Sequence, residues 1–217
     1  MNHLLILITL FAFTLTHADS DLEQAKKVAE MGFKQYMSES TTPRGIDDLD
    51  IRDSETLQNA TLGEPIEIME LTPASIVNYK QGDGVSKLLY KHYSYYFPVL
   101  LYGKVRMLMG VYKYLNLGHK HYEIGSLSYV WLAKEFVKIK GQNPKLANHK
   151  MIFAECYEAN AMVFSFPELD NHNLQFIEFS GDKATRAPQY SKLSTVDELV
   201  KIMDSRIHED IRKGVRK

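Results

Sequence analysis

Residues Leu4 to Phe13 (LLILITLFAF) form an unbroken apolar run at the start of the chain, and no run of that length recurs after it. A helix needs about 20 apolar residues to cross a hydrocarbon core of about 30 Å, so this run is too short to span one. A short polar stretch follows and ends Thr16-His17-Ala18, with small residues at the positions a signal peptidase reads. The expected reading is a secretory signal peptide over 1–18, with a mature chain starting at Asp19. One feature departs from the usual pattern: no Lys or Arg precedes the apolar run.

What remains after Ala18 is long enough to bury one substantial core. With no second long apolar segment, no transmembrane segment is expected in the mature chain. The 26 basic and 27 acidic residues almost cancel, so nothing in the charge balance points to nucleic acid. Cys156 is the only cysteine, which excludes an intrachain disulfide. Exported animal domains of this size are usually stapled by several bridges, so a periplasmic or secreted protein of bacterial origin fits better.

Periodicity gives the organisation. Leu22, Ala25, Ala29, Phe33 and Tyr36 recur at helical spacing and predict an N-terminal amphipathic helix over Ser20–Met37, with Glu23–Lys27 and Glu30–Lys34 as ion pairs on its polar side. Residues 38–62 read as a polar loop, and 63–217 as the remainder of one domain that includes the helix. Strands are expected at Pro65–Leu71, Tyr93–Leu101, Val105–Tyr114, His119–Ile124, Met151–Tyr157, Met162–Phe166 and Leu174–Phe179. The second and third form a hairpin about Gly103-Lys104, with Val105, Met107, Met109 and Val111 alternating onto one face. Thr72-Pro73 opens a short helix through Tyr79. A middle helix is expected over Ser126–Lys140, ended by Gly141, with apolar stripes on two sides: Leu127, Val130, Trp131 and Val137, and Leu132, Phe136 and Ile139. Thr195 and Glu198 predict a capping box for a last helix over Val196–Lys213. The expected class is α+β: an antiparallel sheet of about six to seven strands in two meanders, packed with three main helices.

Candidates for chemistry are few. Cys156, with His149, His172 or Asp170, supplies the types a thiol-dependent hydrolase needs, but Ile152 and Ala154 on the same strand face place it in the core. His119 and His121 project to one side of a strand and are weak metal candidates, with His92 or Glu123 to complete a shell. The acidic loop Asp47–Asp53 lacks the glycine and spacing of a calcium loop. Gly125-Ser126-Leu127-Ser128-Tyr129 misses the nucleophile-elbow pattern at its last residue. No cofactor is expected.

Tyrosine is the unusual feature. Ten of the thirteen lie between Tyr79 and Tyr129. Tyr joins a broad apolar body to a polar tip and suits binding surfaces. Tyr90, Tyr93, Tyr95, Tyr96 and Tyr122 are therefore the expected ligand-binding residues. Alternation puts Tyr93 and Tyr95 on one side of their strand and Tyr96 on the other. The functional expectation is an exported, non-catalytic binding or interaction domain for a protein, peptide or small ligand. The alternatives are the hydrolase above, or a structural subunit of an envelope assembly that leaves one stripe of the middle helix uncovered.

Overall fold

The computed structural model describes residues 21–38, 59–116, 119–126, 130–142, 144, 149–156, 159, 161–166, 174–178 and 189–214. The signal peptide over 1–18, the acidic loop, His172 and Asp170 lie outside the described residues. The protein is mixed α+β, and its described residues divide into two compact units. One holds the described residues up to Pro65 together with those of Tyr93–Lys138; the other holds Ile66–His92 together with the described residues from Ile139 onward.

In the first unit, α1 (21–38) is followed by β1 (Ala60–Leu62), β3 (Leu89–Leu101, which enters this unit at Tyr93), β4 (Lys104–Asn116) and β5 (His119–Ser126). β1 pairs with β3, β3 with β4, and β4 with β5, all antiparallel. The β3–β4 loop is Tyr102-Gly103, closed by the pair Leu101↔Lys104. Both loop residues have positive φ, 51° and 72°, the geometry that matches the twist of paired strands. The turn thus lies one residue before the expected Gly103-Lys104.

The core of this unit sits between α1 and one face of the strands. Ala25 and Ala29 pack with Tyr95, Phe97, Val99, Leu101, Met107, Met109, Val111 and Tyr122. Alternation along β4 does put Met107, Met109 and Val111 on one buried face, but Leu108 on the other face is buried too. On α1, Glu23 is reached by Lys26 at 3.1 Å.

Gly110 and Gly125 share one cause. The β4–β5 register shifts between Gly110 and Val111, so that Gly110 pairs with Ser126 and Val111 with Ile124, leaving Gly125 unopposed. The Tyr112 ring lies over both glycines: a Cβ on Gly110 would sit 2.7 Å from Tyr112 Cε2, and one on Gly125 2.4 Å from Cδ2. This pairing also corrects the start of the middle helix. Ser126 ends β5, and α3 runs Val130–Gln142 with Gly141 inside it rather than beyond it.

The second unit contains β2 (Ile66–Leu71), α2 (Pro73–Val77), a 3₁₀ turn (Val85–Lys87), β6 (Ile152–Cys156), β7 (Ala161–Ser165), β8 (Leu174–Glu178), β9 (Gln189–Ser194) and α4 (Val196–Gly214). β6 to β9 pair antiparallel in sequence order, but β2 and β6 run parallel, with Ile68 opposite Phe153. The expectation of a purely antiparallel sheet is therefore wrong, and the sheet pairing is mixed. β6 is buried along its whole length, as strands covered on both faces are. β1 and β9 are strands that the sequence reading did not anticipate.

Local capping sets the helix starts. Thr72 and Ser75 exchange side chain-to-backbone hydrogen bonds, each 3.1 Å, at α2. Thr195 and Glu198 do the same at α4, at 3.2 and 3.3 Å. Leu71, Ile76, Leu88, Ala154, Cys156, Val163, Leu199, Met203 and Ile207 make the core between them.

Candidate functional site

The tyrosines separate into three groups. Tyr95, Tyr96 and Tyr122 are buried, Tyr93 is half-buried, and Tyr90 is exposed. Tyr95 faces α1, whereas Tyr96 faces the other way and meets Tyr112, with the two hydroxyls 3.1 Å apart and the rings edge-on. Both sides of β3 are covered here, so the expected open tyrosine face is not formed by Tyr95, Tyr96 and Tyr122.

Tyr93 breaks the alternation. Its φ is +56°, a left-handed conformation in which a bulky side chain is strained, by about 1–3 kcal/mol. Beside it, Ser94 is fully buried and its Oγ accepts the Lys113 backbone N–H at 3.1 Å. The Tyr93 ring is turned onto the Lys113 side chain, with Nζ 4.0 Å from the ring centroid. Lys113 Nζ also donates to Asp21 Oδ2 at 2.9 Å, and each of these side chains is only 8% exposed. Asp21 is in the first turn of α1, where the helix dipole favours a carboxylate.

Tyr122 completes the cluster from β5. Its hydroxyl is buried beside the Asp21 carboxylate. Burial first, and then the Asp21 charge, push its phenol well above the ordinary range, so it stays protonated and remains a donor. The group therefore holds one carboxylate, one ammonium, one buried hydroxyl and a strained aromatic wall. Buried charge and backbone strain thus lie together in one place. Sequence reasoning singled out Tyr93 and Tyr122 but missed Asp21 and Lys113. A Lys on a strand with aromatic neighbours, Tyr112 and Tyr114, was the available signal.

A second feature lies at the far end of the β4–β5 hairpin. Tyr114 and His121 are paired across the strands and their rings stack, 5.7 Å apart at 27°. Tyr114 is 44% and Leu115 73% exposed. His121 Nε2 lies 3.0 Å from Glu123 Oε1 at the surface. The side chain of His119 is outside the described residues, and among those described no group of three or more His, Cys, Asp or Glu could hold a metal ion.

Cys156 is 1% exposed and packs among Ala154, Ala161, Val163 and Leu199. Burial keeps the thiol from the solvent access that a reactive cysteine needs. In the same unit Glu67, almost buried, draws in Lys91 at 3.1 Å and Lys150 at 3.4 Å. No protein-family model matches the chain, and no curated protein or solved structure matches it either.

Proposed function

We propose that this chain is an exported, non-catalytic binding protein for a protein or peptide, with its contact surface at the far end of the β4–β5 hairpin. The observation that carries the reading is the exposed, stacked Tyr114–His121 pair beside Leu115. Stacking holds the aromatic faces in place before a partner arrives, which reduces the entropy lost on binding. Tyrosine with an adjacent aliphatic side chain is the composition of interface anchors. Export rests on the N-terminal apolar run and on Ala18; the lone, buried Cys156 gives no support to a thiol hydrolase.

The test is selection from a displayed peptide library on the wild-type chain, with the Tyr114→Ala/Leu115→Ser variant as counter-target. Peptides that bind only the wild type are expected. The variant should keep its stability within about 0.5 kcal/mol, as surface changes do, whereas Tyr96→Ala should cost about 3–5 kcal/mol. Peptides enriched equally on both targets, or none above background, would overturn the reading.

A second reading, a subunit of an envelope assembly, draws support from α3. Leu132, Phe136 and Ile139 are buried, but Val137 on the other stripe is 47% exposed, with Val130 and Trp131 half-buried. Self-association that Val137→Glu abolishes would favour it; a wild-type chain that sediments as a monomer at every concentration would remove it.

A further inference from the structure

We infer that β5 is a docking edge for an extended peptide, which joins the sheet as a further antiparallel strand along Lys120–Ile124, with a basic residue opposite Glu123 and an acidic one opposite Lys120. This goes beyond the Tyr114–Leu115 surface, and stands or falls without it.

The position of the strand comes first. β5 ends the described sheet on its side, with β4 as its neighbour. In an antiparallel pair the N–H and C=O of one residue point the same way, and that direction alternates along the strand. The Lys113 N–H goes to Ser94 on β3, so Lys113 and its opposite residue Tyr122 exchange no backbone bonds. Tyr112 and Tyr114 bond Glu123 and His121 instead. The backbone groups of Lys120, Tyr122 and Ile124 therefore point away from β4, and among the described residues no other element takes them up. Such a row is the template for strand addition. No proline interrupts β5, and the register shift that leaves Gly125 unopposed ends the regular edge at Ile124.

The charges select the occupant. Tyr122 and Ile124 pack into the core beneath α1, so Lys120 shares their face while His121 and Glu123 share the other. Lys120 is exposed, and the Glu123 side chain is 62% exposed although its Oε1 meets His121. Directly opposite residues of antiparallel strands share a face. Two copies of β5 paired about a two-fold axis would thus set Lys120 against Lys120, Tyr122, Ile124 or Ser126, and never against an acid. A peptide of different sequence satisfies both charges. Read along its own chain, it is apolar beside the half-buried Ile124, then basic, apolar, polar and acidic.

The experiment is an anisotropy titration of the full chain with a fluorescent peptide whose core is Val-Lys-Val-Thr-Glu. Saturable binding is expected. N-methylation of the central Val, whose amide faces Tyr122, should weaken it about tenfold, the size of one lost hydrogen bond. N-methylation of the adjacent Lys, whose amide faces away, should change it by less than about twofold. Lys120→Glu should weaken binding about tenfold, and exchanging the peptide's Glu for Lys should restore it. The Tyr114→Ala/Leu115→Ser chain should bind this probe as the wild type does, which separates the edge from the hairpin surface. No saturable binding, equal effects of the two methylations, or a loss in the Tyr114→Ala/Leu115→Ser chain as large as that on methylation overturns the inference. So does a chain that self-associates in sedimentation and excludes the peptide, since a second copy would then hold the edge.

Discussion

Lys113 Nζ lies 2.9 Å from Asp21 Oδ2 and 4.0 Å from the centre of the Tyr93 ring, with both charged side chains 8% exposed. One pair thus ties the first turn of the N-terminal helix to the C-terminal part of β4. It does so where the neighbouring backbone leaves β geometry, at φ +56°. The consequences of this and of three other contacts are measurable.

Tyr112 makes its two glycines obligatory for a steric reason. Gly110→Ala places a methyl 2.7 Å from the Tyr112 ring, and overpacking of that kind costs about 1–3 kcal/mol. Chemical denaturation should show that loss. Combining the change with Tyr112→Leu should cost less than the sum of the two single changes, because the ring that clashes is gone. Strict additivity would mean that the ring is not the obstacle.

Cys156→Ser should destabilise the protein by about 1–3 kcal/mol, since it puts a more polar hydroxyl into the apolar setting of Ala154, Ala161 and Val163. The native thiol should react with a disulfide reagent only at the rate of local or global opening. Reaction as fast as that of a free model thiol would contradict the burial.

Tyr79 sets an alkaline limit. Its hydroxyl donates to Asp197 Oδ1 at 2.6 Å, and burial together with that bond raises its pKa from 10.0 to about 12. Folding favours the neutral phenol, so its contribution is complete below pH 10 and is lost as the pH rises toward 12. Urea midpoints for wild type and Tyr79→Phe should therefore converge over that window. Asp83 works in the opposite sense: its hydrogen bond from Lys87 Nζ, 2.6 Å long, is the main cause that holds its pKa below 3.8. That contribution is present above this value and lost as pH falls through the folded-state value, which Asp83→Asn should show at the acid end.

Short-range chemistry was legible in the sequence. Thr72-Pro73 and Thr195 with Glu198 specify their helix starts within four residues, and both caps form. The β3–β4 hairpin was readable because its turn and its alternation are also local. The parallel β2–β6 pairing was not, since its strands are separated by most of the intervening chain and neither one records its partner. Tyrosine misled because a ring with a polar tip fits an exposed face and a covered one equally well. In β3 the residues Tyr95, Tyr96 and Phe97 are apolar on both sides in succession, which is what two covered faces demand. Asp21 and Lys113 lie 92 positions apart, and each alone reads as an ordinary surface charge.

The most direct test of the account is a double-mutant cycle on that pair, read as unfolding free energy. Asp21→Leu and Lys113→Met should each cost about 3–5 kcal/mol, because each leaves the other group buried without its partner. Asp21→Leu with Lys113→Met should return most of that loss, since an apolar pair of similar size removes both desolvation costs. A double variant that loses the sum of the two single changes would contradict the account, and would show Asp21 and Lys113 to act independently.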